Sequence, residues 1–209
     1  MSIFSNVAGR KTRRSKFNLS HERKMSLNMG ELVPILCQEI LPGDKFQVQS
    51  EVLMRLAPMI SPLMHRVNVY THYFFVPNRI VWDQWSDFIT GGPQGDLTPA
   101  MPKLNILESN RADFAKGTLA DYFGLPVTDA DGGAWAKNAA ISALPFRAYT
   151  EIFNEYYRDQ NLSDKIDITD ATEVAKIRQR AWEKDYFTSA LPWAQRGQNS
   201  SVPADPTYK

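Results

Sequence analysis

Seven cations crowd the start of this chain: Arg10, Lys11, Arg13, Arg14, Lys16, Arg23 and Lys24, against a single acid, Glu22, in the first 24 residues. Closely spaced Lys and Arg neutralise phosphates and release counterions, which gives sequence-independent, salt-sensitive affinity for nucleic acid. The plainer reading is a solvated tail that keeps the chain soluble. The whole chain has 24 basic and 23 acidic residues, so the remainder carries 17 against 22. A net charge near zero therefore conceals a basic arm on a mildly acidic body.

Other residue types capable of chemistry do not assemble into a site. His21, His65 and His72 lack metal-ligand spacing, and there are no paired cysteines. Cys37 stands alone and reads as a small apolar residue in a strand. Gly91-Gly92-Pro93-Gln94-Gly95-Asp96 superficially suggests a phosphate loop, but no Gly-Lys-Ser/Thr follows and Pro93 removes an N–H donor. Glu151/Glu155 and Asp164/Asp167 are spaced carboxylates that solvated faces explain. The sequence offers no catalytic, metal-binding or cofactor-binding constellation, and an enzyme is not expected.

The aromatic clusters Tyr73/Phe74/Phe75, Trp82/Trp85 and Tyr156/Tyr157 could stack bases. Core packing or protein interfaces, where Trp and Tyr are common anchors, is the better reading. No apolar run approaches the roughly 20 residues of a membrane-spanning helix, and the basic start lacks the apolar stretch of a secretory signal. A soluble chain, intracellular until assembled, is expected.

The elements that would position these groups follow from periodicity. Residues 1–24 have no sustained period and read as an extended arm awaiting a partner. Residues 31–40 read as a strand, and Leu41-Pro42-Gly43-Asp44 as a turn. Phe46, Val48, Val52, Met54 and Leu56 then alternate with Lys45, Gln47, Gln49, Glu51 and Arg55, the pattern of a half-buried strand. Residues 67–76 form a third candidate strand, with aromatics on both faces.

Pro77 ends it, and Asn78 could cap a helix bearing Ile80, Val81, Trp82, Trp85, Phe88 and Ile89, stopped by Gly91-Gly92-Pro93. A short helix is expected at 119–123 behind Thr118, and a turn near residues 129–133. A further helix is expected at 145–159, with Phe146, Tyr149, Ile152, Phe153 and Tyr156 on one face. A charged helix is expected at 171–185, capped by Asp170. The tail from Gln195 is polar and reads as loose. Strands first, with helices threaded through long connections, suit an antiparallel β-sandwich with helical insertions.

The wording of several blocks adds to this. They are Thr71-His72-Tyr73-Phe74-Phe75-Val76-Pro77-Asn78-Arg79 with Trp82 and Trp85, Leu144-Pro145-Phe146-Arg147-Ala148-Tyr149, and Tyr157-Arg158-Asp159-Gln160-Asn161-Leu162. To these belong Asp185-Tyr186-Phe187-Thr188-Ser189-Ala190-Leu191-Pro192-Trp193, Ser20-His21-Glu22 and Glu39-Ile40-Leu41-Pro42-Gly43-Asp44. Together they resemble the major capsid proteins of microviruses, the small single-stranded DNA bacteriophages, and within them the gokushovirus branch. Residues 98–135 carry no such wording.

The resemblance implies a mainly β chain built on the viral single jelly roll with helical insertions. Members of that family are considerably longer, so residues 25–209 would be the N-terminal portion of the capsid domain, incomplete at its C-terminus, behind the arm at 1–24. It further implies a subunit that self-assembles into a small icosahedral shell around circular single-stranded DNA. Its partners would be copies of itself, the genome, a small basic DNA-associated virion protein and other virion proteins, and no membrane. Its place would be the virion, after the host bacterial cytoplasm.

A basic-arm nucleic-acid-binding module that forms no shell is the alternative. The candidate subunit-interface residues, taken from the resembling blocks, are Phe75, Arg79, Trp82, Trp85, Phe146, Arg147, Tyr149, Tyr157, Arg158, Phe187 and Trp193. Some of these would prove to be core within the subunit. The seven arm cations are the nucleic-acid candidates.

Overall fold

A computed structural model describes residues 14–127 and 139–191. Its regular elements, in chain order, are α1 (Asn78–Val81), α2 (Trp85–Thr90), β1 (Lys103–Ile106), a 3-10 segment (Glu108–Phe114), α3 (Leu119–Tyr122), β2 (Ala139–Ser142), α4 (Leu144–Ile152) and α5 (Ala171–Val174). A π-helical turn, Phe153–Tyr157, continues α4. The expected turn at 129–133 and the tail from Gln195 lie outside the described residues.

The core is assembled between residues 103 and 177. Strands β1 and β2 pair antiparallel, with Leu104 opposite Ile141 and Ile106 opposite Ala139. Leu104 and Ile106, two residues apart and so on one face, are buried with Phe114, Leu119, Ala143, Phe146 and Val174. This tract overlaps the stretch whose wording is least diagnostic, and neither strand is foreseen by the periodicity. Four residues of alternation are too short to register in a longer window.

Helix α4 is the spine of this core. Pro145 sits in its first turn, where a missing N–H costs nothing. Its fully buried stripe is Phe146, Thr150 and Asn154, at i, i+4 and i+8, with Tyr149 and Phe153 beside it half-buried. Two of the three are polar, so the apolar pattern places the stripe only in part. Both polar groups are satisfied, as burial requires. Thr150 Oγ1 donates to the Phe146 carbonyl at 3.1 Å. Asn154 clasps the Ile166 backbone, donating through Nδ2 to its carbonyl at 2.9 Å and accepting its N–H through Oδ1 at 3.0 Å. The π turn changes the angular step per residue, and Tyr156, expected on the buried face, stands 70% exposed.

Other expectations are corrected by local detail. The helix after Pro77 breaks in two because Trp82 leaves helical geometry (φ −152°) and buries its ring against Trp85 and Phe88. Pro77, not Asn78, is the N-cap, and no side chain closes that end. At the other end Gly91 takes φ 78°, and a Cβ there would meet the Gly95 backbone at 2.9 Å. Thr118 precedes α3 but its hydroxyl donates to Ala115 O rather than capping. Asp170 does cap α5, accepting the Thr172 N–H at 2.9 Å.

Helix α5, however, ends at Val174 rather than near 185. Beyond it the backbone turns extended and pairs: Arg180 N–H donates to Gly30 O (2.7 Å) and Leu32 N–H to Arg178 O (2.8 Å), a single antiparallel bridge between Glu31 and Gln179. Tertiary hydrogen bonds thus override the helical propensity of that charged tract.

The three candidate strands at 31–40, 46–56 and 67–76 are irregular chain, mostly exposed beyond the half-buried residues 31–34. Apart from that one bridge, they form no ladder among the described residues. A β-strand exists only with a partner, and no described segment supplies one. The turn between the first two has the expected form, with Asp44 N–H donating to Leu41 O at 3.1 Å and Gly43 at φ 89°.

Two measurements test this core. Phe146→Ala should destabilise the chain by about 3–5 kcal/mol in urea unfolding, the cost of a buried aromatic cavity, while Phe187→Ala stays within about 0.5 kcal/mol. The second concerns Tyr149, whose hydroxyl donates to Leu32 O (2.8 Å) and accepts the Arg178 N–H (2.9 Å). Burial pushes this hydroxyl up to about 12, opposed by the bond and charge of Arg178.

Between pH 10 and 12 the folded chain therefore keeps a proton that the unfolded chain has lost. Stability is full below pH 10 and falls as pH rises through that window, by on the order of 2 kcal/mol. Tyr149→Phe should be less stable than the parent at pH 7 by about 1–2 kcal/mol. The gap should narrow or close by pH 12, and a constant gap would refute the assignment.

Candidate assembly surface

An exposed apolar tract begins after the Leu41-Pro42-Gly43-Asp44 turn. Phe46, Val48, Val52, Met54 and Leu56, the alternating face of the second candidate strand, are each 44–56% exposed. Leu53, on the opposite face, is 92% exposed. The alternation that reads as a half-buried strand is present, and its cover is not. Leu53, Ile60, Met64, Trp182 and Tyr186 are further exposed apolar groups absent from the sequence-based selection. Leu53 had a signal, since it interrupts the alternation.

Next to this tract, residues 70–74 lie against the end of α4 through rings. His72 stacks on Tyr157 (centroids 5.8 Å), and its Nδ1 lies 2.6 Å from the Tyr157 hydroxyl. Phe74 meets Tyr156 at 4.8 Å, and Tyr73 and Ser50 hydroxyls are 2.6 Å apart. Arg180 covers the Tyr70 ring at 4.5 Å, and Tyr70 donates to Glu183 at 3.0 Å. An open depression lies between Thr71, His72, Tyr73, Phe74, Tyr156 and Tyr157. His72 stacks on Tyr157 and meets Phe74 edge to face, the geometries aromatic pairs prefer, while Phe74 tilts against Tyr156.

The sequence-selected interface residues separate into groups. Phe75 (72%) and Phe187 (82%) are exposed, as is Arg79 on α1. Trp82 and Phe146 are instead interior, their large apolar areas covered within the chain. Trp85 is half-buried beside Trp82. Arg147 reaches the Val81 carbonyl (3.2 Å), linking α4 to α1, and burial lowers its guanidinium's pKa against the pull of Asp167. Tyr149 and Tyr157 make the bonds already given. Arg158 donates to Asn154 O (3.3 Å) and Ser163 O (2.6 Å), closing the loop after α4. Trp193 lies outside the described residues.

That loop is held from several sides. Lys165 bridges Glu151 (2.8 Å) and Glu155 (3.3 Å), and Glu151 foremost raises its pKa. Lys184 meets Asp159 at 2.5 Å, and that bond, with the Asn161 N–H, holds the Asp159 carboxyl below its usual range. The spaced carboxylates Glu151 and Glu155 thus share one lysine and serve structure. Among the described residues no group of His, Cys, Asp and Glu could hold a metal ion, and no helix is long and apolar enough to cross a membrane.

Of the arm cations, Arg10, Lys11 and Arg13 lie outside the described residues, while Arg14 and Lys16 are exposed. Lys24 pairs with Glu22 at 3.5 Å. Arg23 is turned onto the body, where it donates to the Ile35 carbonyl (2.9 Å) and to the Tyr122 carbonyl.

Comparison with known proteins places this arrangement. Residues 5–206 match the family model described as capsid protein (F protein). The chain is 37% identical over 224 residues to capsid protein VP1 of Chlamydia phage 1, covering 95% of this chain and 36% of that protein. It is 37% identical over 206 residues to capsid protein VP1 of Bdellovibrio phage phiMH2K, covering 96% and 37%. With capsid protein VP1 of Spiroplasma virus 4 it shares 31% over 211 residues, covering 93% and 37%. It thus spans a little over a third of the length of these relatives. The microvirus resemblance read from the aromatic blocks is the one these matches show, and the chain belongs to the capsid protein (F protein) family, whose members are structural proteins rather than enzymes.

Proposed function

We propose that this chain acts as the N-terminal part of a major capsid subunit, which self-assembles into a small icosahedral shell enclosing circular single-stranded DNA. One observation carries the reading: the tracts at 46–56 and 67–76 are strand-patterned and apolar, yet form no ladder among the described residues and leave most of their apolar side chains exposed. Soluble monomers rarely leave such surface open, and unpaired strands are templates for further pairing. In a viral single jelly roll these tracts, with residues 31–40, would be the first strands of the two sheets. Their partners would come from the rest of the capsid domain and from neighbouring subunits through contacts that close. Phe75, Arg79 and Phe187 are the interface candidates whose side chains remain available. The virion is then its location.

A second reading is supported by the arm. Among the described residues, the hydrogen bonds and ion pairs of residues 14–22 stay local, as in Ser20 N–H to Asn18 and Glu22 to Lys24. Their cations are open to phosphates, as a DNA-binding arm requires. The same arm serves an inward-facing role in a shell beside a small basic virion protein.

Val52→Asp and Phe75→Asp in the capsid-forming protein separate the two. Both should leave the circular-dichroism spectrum and the cooperative unfolding of the core unchanged, while particles disappear from negative-stain micrographs. Normal particle yield with both substitutions would remove the assembly role from these tracts. A monomeric chain that binds DNA and never forms particles would favour the arm alone.

A further inference from the structure

The seven arm cations do not have one job. Arg23 spends its guanidinium on two backbone carbonyls, Ile35 O at 2.9 Å and Tyr122 O, the latter 99 residues away in sequence. Tyr122 is buried in the core at the end of α3, and its hydroxyl returns to the arm by donating to Ser26 O at 2.9 Å. Two bonds of opposite direction, Arg23 to the Tyr122 carbonyl and the Tyr122 hydroxyl to the Ser26 carbonyl, therefore hold residues 23–26 to the body.

C-terminal to this clasp the chain stays attached. Gly30 and Leu32 pair with Arg180 and Arg178, and Tyr149 holds Leu32 O. N-terminal to it, Phe17 and Leu19 are exposed, and among the described residues the polar contacts of residues 18–22 reach no further than Lys24. A guanidinium fork is suited to holding two acceptors at once, which a flexible ammonium does less well.

We propose that Arg23 is a positioning residue that fixes where the basic arm leaves the body. Phosphate neutralisation then belongs to Arg10, Lys11, Arg13, Arg14 and Lys16, five cations within seven residues. This rests on the nucleic-acid reading of the arm for its second half only. The clasp stands on the geometry alone. With Lys24 facing Glu22, the charge that meets DNA is concentrated at the distal end and held a fixed number of residues from the anchor.

Two readouts on the full 209-residue chain test it. For a single-stranded oligothymidylate, the slope of log affinity against log salt is about −0.7 per phosphate neutralised. Replacing all five distal cations by Gln should shrink that slope by about 3.5, whereas Arg23→Gln should leave it unchanged. A loss of about 0.7 with Arg23→Gln would make Arg23 a phosphate ligand and overturn the division. The second readout is chymotryptic cleavage after Leu27, followed by mass spectrometry. Arg23→Gln should accelerate it threefold or more, and Arg23→Lys should restore it only partly. An unchanged rate would overturn the anchor. Absence of any salt-dependent binding by the parent chain would refute the arm's nucleic-acid role and the five-cation assignment, while the cleavage rate would still decide the clasp.

Discussion

The Tyr149 hydroxyl joins three parts of the chain that lie far apart in sequence. It donates to Leu32 O and accepts from Arg178 N–H, so it closes both strands of the Glu31–Gln179 bridge onto the face of α4. Its ring packs against Phe123, which in turn meets Phe146 at 5.0 Å in the core. A phenol fits because its ring is apolar and its tip can both donate and accept. Without it, two backbone groups would lose their partner in a partly buried site, at a combined cost of about 1–2 kcal/mol. Two ladder bonds thus join the N-terminal segment to the segment after α5, and Tyr149 ties both to α4, beside the bonds that Tyr122 makes with Arg23 and Ser26.

Polar groups in the body are closed on one another in the same way. Asn154 secures Ile166, Arg158 secures the carbonyls before and after the loop, and Lys165 secures two glutamates. The tract from 103 to 177 settles the buried Thr150 and Asn154 internally, while Tyr122, Arg147 and Tyr149 reach out to Ser26, Val81 and Leu32. The half from 31 to 76 leaves a face of apolar side chains and most ladder positions open. A capsid subunit needs both characters, a body that holds its own shape and surfaces that complete themselves only in company.

What the sequence revealed follows the range of the forces involved. Local rules held where they were sufficient: Gly43 and Gly91 adopt positive φ, Asp170 caps α5, and α4 runs on through the π turn to Tyr157. They failed where distant partners decide. Trp82 breaks a helix to bury its ring, and residues 178–180 abandon helical spacing for Gly30 and Leu32. The buried stripe of α4 was half-hidden because Thr150 and Asn154 are polar letters in apolar places. Among the selected site residues, size and aromaticity could not separate Phe146, used inside, from Phe75, left outside. Nor could charge separate Arg23, bound to carbonyls, from Arg14 and Lys16. Only the match of long aromatic blocks carried the family, because it compares whole strings rather than single positions.

Magnitudes indicate what must cover the open tracts. Fully burying a large aliphatic or aromatic side chain contributes about 1.5–3 kcal/mol. Phe46, Val48, Val52, Met54 and Leu56 are already about half covered, so closing over that face adds on the order of 5 kcal/mol. Fixing a backbone costs about 1–2 kcal/mol per residue, and the tract from 46 to 56 is eleven residues long, so ordering it could cost more than one covered face returns. A flat apolar lid would not hold it. The cover must also supply ladder hydrogen bonds and bury the second face, where Leu53 stands out. The aromatics on both faces of 67–76 make the same demand. A β-strand neighbour inside a two-layered sandwich satisfies all three requirements at once, which is why the uncovered tracts favour a sheet-forming partner over an apolar groove.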